Sequence, residues 1–191
     1  VCGRRCATFE AQSLWRVSAV DMGCEETSLS ELYLQSCAER VRLLKCGGSV
    51  CGGSLTEHRV QERLASVPNV LIVHVSRGAD GAVEGRAPVI VDELWSPPCL
   101  GVEMELASVV YHRGKSEGAG HDTSAAVGPR GGFWYVEDDK DPQYIGSEMA
   151  HVLTKNVALV VYQRPGGAVE CAGLRQHVAS AVGSARTMPR V

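Results

Sequence analysis

Two groups of residues in this chain could do chemistry. The first is a pair of cysteine turns. Cys2 and Cys6 stand as C-x3-C, and Cys46 and Cys51 as C-x4-C in a glycine-rich CGGSVC. Glycine lets such a turn close tightly. Two turns brought together would give the tetrahedral four-sulfur shell that Zn²⁺ prefers. Four ordinary free thiols are the other reading of the same residues. The second group is His121, behind Gly120, with the acidic run Glu137, Asp138 and Asp139 further along. An imidazole next to a thiol holds it as a thiolate, a far better nucleophile. The imidazole in turn needs a carboxylate or amide on its other nitrogen to fix tautomer and orientation. Taken alone, the acidic run also reads as a solvated charge face.

The elements that must position these groups follow from the pattern of apolar residues. Residues 13–20 alternate like a strand. Residues 28–44, SLSELYLQSCAERVRLL, have helical periodicity, with Ser28 or Ser30 as cap. Residues 46–54 form a turn, and 58–64 a short polar stretch that could cross back as a strand. From Val67 the texture changes. VPNVLIVHVSR (67–77) is a continuous β-branched run, which predicts a buried strand. Further strands are expected within 86–94, 104–114, 120–129, 131–139 and 156–164, with helical turns at 147–153. Strands separated by glycine-containing turns predict an antiparallel sheet. His74, inside an apolar run, reads as a core histidine. His112, before Gly114, reads as structural.

Composition bounds the rest. The chain has 191 residues, 45% hydrophobic and 21% charged, which suits one ordinary globular domain plus a tail. The net charge of −3 gives no electrostatic argument for nucleic acid or an anionic membrane as partner. No apolar run approaches the length of a membrane helix. Eight cysteines are too sparse for a small disulfide scaffold. With no apolar signal core at the N-terminus, an intracellular setting is expected, in cytoplasm or nucleus. The first residue is Val1, so a processed chain or a fragment is expected. The Ala-, Gly- and Ser-rich stretch 165–191 reads as a tail.

Four segments recur together in an order that resembles the ubiquitin-specific proteases (USPs). They are VPNVLIVHVSR (67–77), MELASVVYHRGKSEGAGHD (104–122), FWYVEDD (133–139) and VALVVYQR (157–164). The family patterns are roughly LPxxLxxHLxRF, YxLxxVxxHxGxxxxGHY, WYxFDD and AYxLxY. The resemblance implies an α+β, papain-like cysteine peptidase that cuts the isopeptide bond after the C-terminal glycine of ubiquitin. By position, His121 is then the general base. Asp138 orients it, and Asp139 shares that role or helps stabilise the oxyanion. Residues 67–164 would be the palm, with an antiparallel sheet. Residues 1–66 would be a small β-ribbon fingers region, with Cys2, Cys6, Cys46 and Cys51 as zinc ligands and ubiquitin as partner.

The chain departs from the family in ways that shape the expectation. None of the eight cysteines lies in a GNTC-like nucleophile box, so the thumb is expected to be absent and this polypeptide alone inactive. The family's GHY tyrosine is Asp122, and an acid beside the catalytic imidazole would raise its pKa. Gly78 stands where the phenylalanine of KRF would be, Glu137 where that of WYxFDD would be, and Met104 where the YxL tyrosine would be. A ubiquitin-binding pseudo-deubiquitinase or scaffold is therefore the alternative.

Overall fold

The computed structural model describes residues 7–9, 14–19, 26–47, 52–77, 88–98, 100–116, 119–128, 132–137, 140–146 and 156–166. Their fold is α+β and dominated by one mixed sheet. Its strands are β1 (Trp15–Ser18), β5 (Val70–Ser76), β7 (Leu94–Trp95), β8 (Met104–Ser116), β9 (Ala119–Val127), β10 (Phe133–Glu137), β11 (Gln143–Gly146) and β12 (Val157–Gln163). The spatial order is β1-β5-β12-β8-β9-β10-β11, with the two-residue β7 also on β8. Two short pairs lie outside it. β2 (Thr27–Ser28) runs parallel to β6 (Val89–Ile90), and β3 (Arg40–Lys45) antiparallel to β4 (Leu55–Val60).

The strand last in sequence sits in the middle. β12 is antiparallel to β5 on one side and to β8 on the other. Its VALVVYQ run suits that place, because a strand flanked on both sides and covered on at least one face has little use for charge. β5 shows the two-residue period of a strand. Leu71, Val73 and Val75 are buried, while Ile72, His74 and Ser76 are half-buried on the opposite face. β1 pairs with β5 in parallel, the exception in an otherwise antiparallel sheet.

One helix, α1 (Leu29–Ser36), packs over the buried face. A capping box starts it. The Glu31 amide donates to Ser28 Oγ at 3.2 Å, and the Ser28 amide donates to Glu31 Oε2 at 2.8 Å. Leu29, Leu32 and Tyr33 face inward. They join an aromatic chain through the core, Trp15–Tyr33–Trp95–Tyr162, with ring centroids 5.8, 5.9 and 5.0 Å apart. Each polar end of that chain has a partner. Trp15 Nε1 donates to Ser36 Oγ, Trp95 Nε1 to Ser30 Oγ, and Tyr162 Oη to the Asp92 carbonyl. Burial and the nearby Asp92 push the Tyr162 phenol well above its ordinary range.

The helix is shorter than its sequence periodicity. It stops at Ser36, and residues 40–45 are strand. Arg40 Nη2 donates to the terminal Ser36 carbonyl at 3.0 Å, and the Ala38 amide to that of Gln35 at 3.1 Å. The chain then pairs with β4 over six register positions. That cross-strand ladder overrides the helix propensity of Arg42, Leu43, Leu44 and Lys45, as tertiary pairing routinely does. Residues 15–19 and 29–36, within the stretch expected as fingers, build into the main sheet and core. The β3–β4 ribbon instead carries exposed apolar side chains: Val41, Leu43, Leu44 and Leu55. The helical turns expected at 147–153 and the tail beyond 166 lie outside the described residues.

Candidate functional site

The site is built on the β8–β9 hairpin and its two flanking strands. In the hairpin ladder Tyr111 stands opposite Thr123, His112 opposite Asp122, Arg113 opposite His121 and Gly114 opposite Gly120. Consecutive residues of a strand face opposite sides. Thr123 and Ala125, with Tyr111 and Val109, are buried on the α1 side. Asp122 belongs to the other side, with Ser124 and Ala126.

His121 is exposed near the turn end of this hairpin. On the far flank, β10 pairs with β9 from Phe133↔Val127 to Glu137↔Thr123. The described part of β10 thus ends two ladder positions from His121. Asp138 and Asp139 lie outside the described residues. Beyond the ladder the facing ends of β9 and β10 stay paired. The Gly128 amide donates to the Gly132 carbonyl at 2.9 Å, and Gly132 takes φ +71°. A Cβ at Gly128 would collide with the Trp134 indole, and one at Gly132 with the Tyr144 ring. Trp134 and Tyr144 meet edge to face at 5.5 Å. Beneath the hairpin, desolvation, and secondarily the charge of Tyr135, raise the Tyr111 phenol to about 12.

Asp122 does not act where its place in the sequence suggests. Its carboxylate Oδ1 accepts a hydrogen bond from His112 Nδ1 at 2.8 Å, across the ladder. The two-residue period turns the Asp122 side chain to the opposite face from His121. His112 is likewise more than a turn residue. Its side chain is only 14% exposed and lines a pocket of about 290 Å³ with His74, Arg77 and Asp122. The pocket opens beside a register shift in β12 between Val157 and Leu159, a place where bulges commonly re-aim side chains. His74 is half-buried on this pocket rather than enclosed in the core. His112 and Asp122 fall on the strands expected within 104–114 and 120–129, but their pairing follows only once β8 and β9 lie side by side in register.

Of the four proposed metal ligands, Cys46 alone is among the described residues. It is buried at the tip of the β3–β4 ribbon, where its amide donates to the Ser54 carbonyl at 3.3 Å. Gly52 and Gly53 turn the returning chain at φ +57° and +74°. Cys2, Cys6 and Cys51 lie outside the described residues. Among the described residues, no three His, Cys, Asp or Glu side chains cluster as metal ligands do.

No protein-family model and no curated protein matches the sequence. Solved structures do match. The fold resembles that of a deubiquitinase. The SAGA DUB module Ubp8/Sgf11/Sus1/Sgf73 bound to monoubiquitin aligns with a TM-score of 0.56 at 16% identity, over 80% of this chain and 35% of the matched chain. The same module bound to ubiquitin aldehyde gives 0.56 at 15% identity, over 80% and 36%. A further structure of the module gives 0.52 at 18%, over 80% and 33%. This chain spans about a third of the length of those it matches. At these identities the likeness is one of fold: a USP-like sheet and its packing.

Proposed function

We propose that this chain is the C-terminal part of a USP-type deubiquitinase domain, acting on ubiquitin or ubiquitinated proteins inside the cell. One observation carries the reading. The four segments that resemble the family motifs fold into adjacent strands in the order β5-β12-β8-β9-β10, with His121 at the hairpin end next to the close of β10. Likeness to the Ubp8 module supports it.

In this reading residues 67–164 form the palm and residues 165–191 a tail. The thumb, with its nucleophilic cysteine, lies outside the 191 residues. The fingers expected over 1–66 reduce, among described residues, to the β3–β4 ribbon. His121 takes the thiol proton as the thiolate adds to the isopeptide carbonyl carbon, and later returns it to the leaving amine. Asp138 holds the imidazole tautomer, with Asp139 beside it. Cys2, Cys6, Cys46 and Cys51 would hold a structural zinc ion that fixes the ribbon tip and plays no part in the bond cleavage.

The alternative, a ubiquitin-binding pseudo-deubiquitinase, is favoured by Asp122, which puts a carboxylate hydrogen-bonded to His112 where the family has an aromatic. Two measurements test the proposal. Isothermal titration of the chain with ubiquitin should show saturable binding, and its absence would remove both readings. A ubiquitin–fluorophore substrate should show no turnover with this chain alone. Turnover would mean a nucleophile among these 191 residues.

A further inference from the structure

Thr123 is a buried side chain that packing alone does not explain. It is 3% exposed, on β9 between β8 and β10, and its Oγ1 has no hydrogen-bond partner among the described residues. A hydroxyl taken out of water without a partner costs stability. The strand itself does not ask for one. β-Branching suits threonine to a strand, but valine offers the same shape without the hydroxyl. The neighbouring strands use valine at Val109, Val110 and Val136. A buried polar group of this kind calls for a partner.

Its place in the sheet points to one. Thr123 lies two residues from His121 on β9, so the two share a face, about 7 Å apart along the strand. The β8–β9 ladder is regular through both, with Tyr111 opposite Thr123 and Arg113 opposite His121. On the other side Glu137, the last residue of β10, stands opposite Thr123. Asp138 and Asp139 are the next two residues of the sequence. β10 thus ends at the ladder position of Thr123, with the acidic run next in the chain.

A carboxylate has two oxygens and only accepts hydrogen bonds. One oxygen can take an imidazole Nδ1–H while the other takes a hydroxyl proton. We propose that Thr123 is a positioning residue: its hydroxyl donates to the carboxylate that orients His121. This rests on the deubiquitinase reading, in which Asp138 orients His121 with Asp139 beside it. Val109, Tyr111 and Ala125 are buried on the same face as Thr123. In such a desolvated setting a hydrogen bond to a charged acceptor is strong. Thr123 acts through the acid and touches neither substrate nor nucleophile.

The test reads the tautomer of His121. Nitrogen NMR of isotope-labelled histidine separates the Nδ1–H form from the Nε2–H form at about pH 8.5, where imidazoles are neutral. A carboxylate accepting from Nδ1–H favours the first form. Thr123→Val keeps the shape and removes the donor. It should lower the ratio of the two forms about tenfold, the worth of one hydrogen bond to a charged group. Thr123→Ser keeps the hydroxyl and should hold the ratio of the unaltered chain. Asp138→Ala or Asp139→Ala should lower it as Thr123→Val does, and combining that variant with Thr123→Val should add little, because both break one link. An idle hydroxyl predicts the reverse: Thr123→Val raises the denaturation midpoint and leaves the ratio unchanged, and that result overturns the proposal. So does a ratio that falls in Thr123→Ser as far as in Thr123→Val. If neither alanine variant moves the ratio, no acid orients His121, and the catalytic reading falls together with the inference. If an alanine variant moves it and Thr123→Val does not, that reading stands and Thr123 alone is removed from it.

Discussion

Ser36 shows how much one small polar residue can carry in this core. Its hydroxyl accepts from Trp15 Nε1 at 2.8 Å and donates to the Tyr33 carbonyl at 2.7 Å, in a buried setting. Ser36→Ala leaves the indole N–H buried without its acceptor, at a cost of about 1–3 kcal/mol. Chemical denaturation should read this as a lower midpoint at unchanged slope, and an unchanged midpoint would show that the indole finds another acceptor. Glu31 is a second single-residue case, and here pH decides. Hydrogen bonds from the Ser28 amide, then the Ser28 hydroxyl and Thr27, hold its carboxyl below the ordinary 4.5. A depressed folded-state pKa contributes stability above the unfolded value and loses it as pH falls through the folded value. Melting temperatures should drop below about pH 4.5 in the parent protein. Glu31→Gln should lower stability at neutral pH and flatten that acid limb. An acid limb identical in the two proteins would remove Glu31 as its source. The cap was legible in the sequence as Ser28 or Ser30, and the structure chooses Ser28, with Glu31 completing the box. The Ser36–Trp15 bond was not, because nothing local links the two residues before α1 packs over β1.

At the scale of elements, strands with a clear two-residue period or a long β-branched run were readable: β5, β10 and β12 fall within the expected stretches, while β8 runs two residues past its expected end and β9 starts one residue early. The overrun helix at 28–44 shows the limit. VRLLK carries apolar residues at spacings that suit either a helix face or a ribbon, and only its pairing with β4 decides between them. Partner choice was equally hidden. The parallel β1–β5 pairing depends on the path between the strands and leaves no mark in either strand. The β3–β4 ribbon invites the clearest test at this scale. Two strands alone are marginal in water, and this pair exposes Leu43 at 65% and Leu55 at 64%. A metal clip at its tip would supply what the ribbon lacks. Cysteine alkylation followed by mass spectrometry should find Cys2, Cys6, Cys46 and Cys51 protected together and then released together by a chelator. Labelling that ignores the chelator would remove zinc from the proposal. Cys46 burial alone would still slow its reaction, so the concerted release of all four is the informative signature.

For the whole molecule, the asymmetry of the main sheet is the dominant feature. On one face, α1 and the Trp15–Tyr33–Trp95–Tyr162 chain close a core around Val73, Val109 and Val160, each fully buried. On the other, Ile72, Val110, Leu159 and Val161 remain half-exposed around the pocket. A sheet with one covered face normally alternates apolar with polar side chains. Here the second face is apolar as well, which predicts a surface that seeks cover. The sequence hinted at this in the continuous runs VLIVHV and VALVV, which read as strands covered on both faces. In isolation the chain should therefore bind a hydrophobic dye such as ANS and sediment as concentration-dependent oligomers. Its thermal transition should be broad and low. Ile72→Thr with Val161→Thr should reduce dye binding and self-association, because both side chains sit on the uncovered face and away from the α1 core. If the double variant instead unfolds, those residues belong to the core and the face is covered by packing between described and other parts of this chain. A sharp, high-temperature melt of the unaltered chain without dye binding would show the same thing. Either result would shift the boundary of the folded unit, because a sheet closed on both faces within 191 residues needs no thumb to complete it.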